Sequence, residues 1–247
     1  MNFAKGLMAV REERDNRPKR KTWLYLVGQI ILWWYFHLVF RMKVIGAENV
    51  PKEGPVLLCS NHLAKRDPVL LGLSQRRQVF YMAKEELFQN KFLGGLFRML
   101  GAFPVKRGTG GSDALEDAYA LLAQNGVVGV FIEGHRSRDG KLLKPKTGAA
   151  LLAYETKAPV VPVCITAGDG KQPGMFKRTM IRFGKPLSPQ ELDIKDSSSM
   201  QLRRASRTIM SRIAQLREES CQALGLPSQL EPPKEAASPA QEVSHEG

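Results

Sequence analysis

The sequence predicts an α/β protein, a mixed and mainly parallel sheet flanked by helices, on three observations. Short apolar runs of strand length recur between Lys43 and Phe183, and stretches with apolar residues at spacings of three and four lie between them. Several of the runs end in clusters of glycine and polar residues, as strand-to-helix connections do. With 247 residues, 43% of them hydrophobic, the chain can bury one core of ordinary domain size. It divides into a basic N-terminus with a membrane-associating helix (1–41), one domain (42–224) and an acidic tail (225–247) expected to be disordered.

Taken in order, the first element expected is a helix over Trp23 to Phe40, eighteen residues in which Gln29 and His37 are the only strongly polar side chains. That length sits at the lower edge for a membrane span. All three tryptophans and two of the five tyrosines fall in it, and basic residues flank both ends. The composition favours a helix lying in or dipping into one leaflet, held by its basic flanks. Strands follow at Lys43 to Ile45, Pro55 to Ser60, Val79 to Met82, Phe103 to Val105, Val127 to Ile132, Val160 to Ile165 and Thr179 to Phe183. Helices are expected at Pro68 to Ser74, where proline opens the first turn, at Lys91 to Leu100, at Ser112 to Asn125 and at Thr147 to Lys157. Ser197 to Leu224 reads as a long amphipathic helix, its stripe formed by Leu202, Ala205, Ile209, Ile213 and Leu216.

Charge narrows the partners. The net charge is +13, and because residues 225–247 hold one lysine against four glutamates, residues 1–224 carry +16. Such a body is drawn to anionic partners: nucleic acid, an acidic membrane, or phosphorylated substrates. Nucleic acid leaves the tryptophan-rich segment unexplained, and no nucleic-acid motif stands out. Cys59, Cys164 and Cys221 are odd in number and widely separated, which suggests neither a disulfide framework nor a metal site.

Three polar clusters carry candidate chemistry. The first, Asn61 to Pro68, sets His62 and Asp67 on a turn after a strand, where α/β sheets place ligands. A neutral imidazole held by a carboxylate suits general-base work, although an aspartate before an N1 proline also reads as a helix cap. The second cluster runs from Gly101 to Gly108 through Arg107, and the third from Phe131 to Gly140 through Glu133-Gly134-His135-Arg136-Ser137. Arginine near glycine at a strand end lets a guanidinium and backbone amides approach a phosphate. Cys59, three residues before His62, reads as a buried strand residue rather than an acyl-forming nucleophile. Lys144 and Lys146 read as solvated surface charges.

In this order the clusters resemble the glycerolipid acyltransferase family, to which bacterial 1-acylglycerol-3-phosphate acyltransferases belong. Asn61-His62 with Asp67-Pro68 resembles the family's His-x4-Asp block, Gly101 with Arg107 its Gly-x5-Arg turn, and Glu133-Gly134 with Arg136-Ser137 its Glu-Gly-x-Arg-Ser block. Val161-Pro162-Val163 resembles a fourth, proline-centred block, and the likeness covers Lys43 to Pro186. The chain departs at His135, where threonine is common, and at Leu63 and Ala64, where small or polar residues are common.

The resemblance implies acyl transfer from acyl-CoA or an acyl carrier protein to the sn-2 hydroxyl of a lysophospholipid, with no cofactor and no metal. His62 is then the base and Asp67 its orienting partner. Arg107 and Arg136 bind the acceptor's phosphate in a pocket shaped by Glu133 and Gly134, with Asn61, Gly101 and Ser137 in the same binding set. The expected partners are the bilayer, the lysophospholipid and the thioester donor, and the expected place is the cytoplasmic face of the cell membrane, monotopic or peripheral. Two rival readings are the same chemistry on another lysophospholipid or a lyso-aminolipid, and a non-catalytic membrane protein of this fold.

Overall fold

In a computed structural model, the structure describes residues 23–90, 94–95, 101–105 and 112–228. Helix α1 spans Trp23–Val39 and leads into strand β1, Met42–Ile45. The chain continues through β2 (Val56–Ser60), α2 (Asp67–Leu73), β3 (Val79–Lys84), β4 (Ala102–Val105), α3 (Ser112–Ala123) and β5 (Val127–Phe131). Then come α4 (Gly148–Thr156), β6 (Val160–Ala167), β7 (Thr179–Phe183), α5 (Pro189–Leu192) and α6 (Ser199–Leu224).

Among the described residues the strands form one sheet in the order β1-β7-β6-β2-β5-β3-β4. Only β6 and β7 pair antiparallel; every other neighbouring pair is parallel. The mixed, mainly parallel sheet expected from the alternation of runs is therefore present. β2 sits near its centre and is wholly buried, as a strand covered on both faces must be. Alternate residues split between two cores. Leu57, Cys59, Val160 and Cys164 meet α3, α4 and α6 on one face. Val56, Leu58, Val161, Val163 and Ile165 meet α2 and the end of α1 on the other.

Local chemistry accounts for the element ends. Asn125 (φ 59) and Gly126 turn the chain from α3 into β5. α6 stops at Gly225, whose left-handed φ of 71° lets its amide bond back to the helix. The single turn α5, not expected from the sequence, owes its start to Ser188 and Glu191. The Ser188 hydroxyl accepts from the Glu191 amide, and the Glu191 carboxylate accepts from the Ser188 amide. β3 and β6 each run two residues past their expected ends, to Lys84 and Ala167. Of the helix expected over 91–100 only Gly94 and Gly95 are described, and both are helical; residues 1–22 and the tail beyond 228 lie outside the described residues.

Helix α1 is not a core helix. Near its end Phe36 is buried, stacked on Phe40 at 4.8 Å, and Arg66 lies over the Phe40 ring at 5.1 Å. The rest presents Ile30, Ile31, Trp33, Trp34, Tyr35 and Leu38 outward. Among the described residues no helix is long and apolar enough to cross a membrane.

Candidate active site

The carboxyl ends of β2, β5 and β6 converge, and the turn after β2 carries the candidate base. Asn61 continues the sheet with its side chain: its carboxamide donates to the Ile165 carbonyl at 3.0 Å and accepts from the Ile165 amide at 2.8 Å. The chain then turns sharply enough for His62 Nδ1 to meet Asp67 Oδ2 at 2.8 Å. The same oxygen accepts from the backbone amides of Leu63 at 2.6 Å and Ala64 at 2.7 Å. Asp67 is fully buried, and the His62 side chain is 17% exposed. An ionised carboxylate only accepts, so Nδ1 carries the ring proton and Nε2 is left with a free lone pair.

The helix-cap reading of Asp67 is corrected by this geometry. Asp67 is already the first residue of α2, its N-cap position is Arg66, and no side chain caps the helix there. The carboxylate turns back to amides that precede the helix, so its bonds shape the turn that holds His62.

β5 supplies the other wall. Phe131 stacks on the imidazole with ring centres 4.1 Å apart, and the Ser137 amide donates to the His62 carbonyl at 2.8 Å. The Glu133-Ser137 turn is thereby docked on the turn that carries His62. Gly134 turns it with φ 74°, and the Lys146 amide donates to the Ile132 carbonyl at 2.8 Å. Arg136 and His135 are exposed, and Arg136 is one residue from the amide that holds His62. Ser137 is buried and gives its hydroxyl proton to Asp139 at 2.9 Å. Gly101, with φ 87°, presses its Cα so close to the Val79 carbonyl that no side chain fits. Arg107 lies outside the described residues. Its strand β4 ends at the same end of the sheet, three strand spacings or about 14 Å from β2.

The expected binding set thus divides. Arg136 and Gly134 face solvent at the rim, whereas Asn61, Ser137 and Gly101 are buried, the first two with their side-chain polar atoms engaged within the protein. Two contributors had no role assigned from the sequence: Phe131, which opens the third cluster as the end of its strand-like run, and Arg217 of α6. Arg217 is buried and its Nε and one terminal nitrogen close no hydrogen bond. Its charge acts on Glu133, which is fully buried with neither carboxylate oxygen in a hydrogen bond of ordinary geometry.

Loss of solvation pushes the Glu133 carboxyl up to about 7; the amides of Leu143 and His62 and the Arg217 guanidinium pull the other way without prevailing. The folded protein therefore binds a proton there more tightly than the unfolded chain. This contribution to stability is present below the ordinary carboxyl range near 4.5 and is lost as pH rises through about 7. Urea unfolding from pH 5 to 8 should show that decline, and Glu133→Gln, which cannot ionise, should flatten it. An unchanged slope in the variant would assign the decline elsewhere.

Cys59 lies in the core with no exposure, and burial pushes its thiol up to about 12. Such a thiol is neither ionised at neutral pH nor reachable, so Cys59→Ala should retain activity within a few-fold. Native protein should also resist thiol reagents at this position, as mass spectrometry of the alkylated protein would show. Among the described residues no group of three His, Cys, Asp or Glu is placed to hold a metal ion.

Comparison with known proteins gives a consistent result. A family model described as Acyltransferase matches residues 41–166. A Bacillus subtilis protein named 1-acyl-sn-glycerol-3-phosphate acyltransferase is 34% identical over 150 residues, 59% of this chain and 73% of its own length. A Streptococcus pneumoniae protein of the same name is 29% identical over 208 residues, covering 82% of this chain and 76% of its own. The chloroplastic LPAT1 of Arabidopsis thaliana is 30% identical over 187 residues, and this chain spans 52% of its length. Among solved structures, that of the 1-acyl-sn-glycerophosphate acyltransferase PlsC from Thermotoga maritima shares the fold. Its TM-score is 0.61 at 23% identity, over 91% of this chain and 89% of that one.

Proposed function

The chain belongs to the acyltransferase family, and from that premise we propose that it acylates the sn-2 hydroxyl of 1-acylglycerol-3-phosphate from an acyl thioester, giving phosphatidic acid. The observation that carries the reading is the His62–Asp67 pair at the end of the central strand, with Nδ1 engaged and Nε2 free. Nε2 takes the proton of the acceptor hydroxyl as its oxygen attacks the thioester carbonyl. The tetrahedral intermediate collapses with loss of the thiolate, and the imidazolium returns its proton to the departing sulfur. Asp67 holds the ring in the productive tautomer and offsets the positive charge formed during attack.

Arg136 at the rim suits the acceptor's phosphate monoester, and Arg107 is the second candidate for that anion. Asn61 and Ser137 act through the backbone of the turn rather than on substrate, and Glu133 is buried out of reach of solvent. The donor is acyl-CoA or acyl carrier protein, both anionic thioesters suited to a basic body. The exposed aromatic face of α1 supports peripheral attachment to the membrane from which the acceptor is drawn.

The test is thioester consumption with lysophosphatidic acid in vesicles, run with both donors and with phosphatidic acid identified as product. Turnover that demands a neutral or zwitterionic lysolipid instead would move the assignment to another acceptor. No turnover with any acceptor would leave the non-catalytic reading.

A further inference from the structure

Among the described residues outside α1, the loop between β6 and β7 exposes two adjacent large apolar side chains. At its tip Met175 is 60% exposed and Phe176 is 74% exposed. Phe176 also has a left-handed φ of 62°, a conformation that a bulky aromatic residue rarely adopts. A soluble surface gains nothing from an aromatic ring held outward on a disfavoured backbone.

The loop's position gives it a use. Thr179 pairs with Ala167 and Met42 pairs with Thr179, so the loop, the start of β1 and the end of α1 all lie at the sheet end that carries His62. The Phe176 amide donates to the Val39 carbonyl at 2.5 Å, joining the tip to the last turn of α1. On its other side the loop abuts the candidate site: Gly140 lies so close to the Gly170 carbonyl that a side chain there would collide. Basic groups surround the tip. Lys171, Lys177 and Arg178 are exposed within the loop, and Lys177 pairs with Asp169 at 2.6 Å. A cavity of about 270 Å³ opens alongside, where Arg41, Lys43 and Arg178 stand over Met180, Ala223 and Leu224.

We propose that the β6–β7 loop is a second membrane contact, inserting Met175 and Phe176 among the lipids while Arg41, Lys43, Lys171 and Arg178 engage anionic head groups. The occupant of this surface is a bilayer bearing phosphate-charged lipid. Exposed apolar side chains flanked by cations match it, and the loop tip is joined to the end of α1 by the Phe176–Val39 bond. The inference rests on the reading of α1 as a membrane-attached helix and adds a second point of attachment. Two points fix the tilt of the domain, so the rim of the candidate site faces the leaflet instead of swinging about a single helix.

Cys59, Cys164 and Cys221 are all fully buried, so a fluorophore sensitive to polarity can be placed at one chosen position of the full chain. Attached through Phe176→Cys, it should shift to the blue and resist a water-soluble quencher when phosphatidylglycerol-containing vesicles are added. A label attached through Lys185→Cys, past the opposite end of β7, should do neither. Met175→Ser/Phe176→Ser should weaken partition to these vesicles by tenfold or more, about what loss of one or two buried apolar side chains predicts. Turnover of a short-chain acceptor dispersed as monomers should not change. Phosphatidylcholine vesicles and high salt should both reduce the binding of the unsubstituted protein. If the protein floats with vesicles while the label at 176 stays as wet as that at 185, or the double variant partitions normally, the second contact does not exist and attachment by α1 stands. If the unsubstituted protein does not bind vesicles, both ideas fall.

Discussion

His62→Ala should reduce turnover by roughly a hundredfold to ten-thousandfold, the span of a positioned general base, while the protein stays folded. The ring is 17% exposed and stacked on Phe131, so its loss costs some packing but not the turn. The turn itself is held by the Asn61, Asp67 and Ser137 bonds, none of which uses the imidazole except the one from Nδ1. The measurement is single-turnover thioester cleavage with saturating acceptor, alongside circular dichroism of the variant. A loss below about tenfold would remove His62 from the base role.

Asp67 should separate chemistry from architecture. In Asp67→Asn the side-chain carbonyl can still accept from the Leu63 and Ala64 amides, so the turn should form and the melting temperature should move little. The full negative charge is gone, however, and the imidazolium formed during attack has no counter-charge in a site where Asp67 is wholly buried. Turnover should fall by about a hundredfold or more with KM nearly unchanged. Asp67→Ala removes the acceptor as well and leaves two buried amides unpaired. It should match the activity loss and also cost about 2–5 kcal/mol of stability in urea unfolding. If Asp67→Asn kept wild-type turnover, the carboxylate would be an architectural group only.

The outline of the fold was legible because its strands are short, apolar and bounded, and because a buried central strand such as Val56–Ser60 has no polar face to blur the signal. Strand ends were not. β3 and β6 run on through Ala83-Lys84 and Thr166-Ala167, where neighbouring strands supply the pairing that composition does not advertise. The single turn at Pro189–Leu192 was overlooked even though the Ser188 and Glu191 signature was present, since four residues give no periodicity. The reversal of β7 against β6 had no sequence signal beyond an eleven-residue connection too short for a helical crossover.

At the site, the pairing of His62 with Asp67 was legible through the resemblance to the His-x4-Asp block, since the spacing alone fits a helix cap as well. The cap reading of Asp67 failed because a carboxylate can reach backward as easily as forward, and only the path of Leu63 and Ala64 shows which amides lie nearer. Arg217 was illegible for a different reason. On an amphipathic helix an arginine reads as a solvated face, and nothing local shows that it lies buried within reach of Glu133's charge. Phe176 fell between two strands and outside every periodic segment.

The bonds around Asn61 bear on mechanics. By grasping both backbone groups of Ile165, this side chain lengthens the β2–β6 ladder by one rung made of a carboxamide. β5 grips the other side, with the Ile132 amide on the Ser60 carbonyl and the Ser137 amide on the His62 carbonyl. The backbone of the histidine is therefore tied to the sheet on both sides instead of hanging from a loose loop. If His62 is the base, an acceptor hydroxyl must be brought to a ring whose backbone is already fixed from both sides.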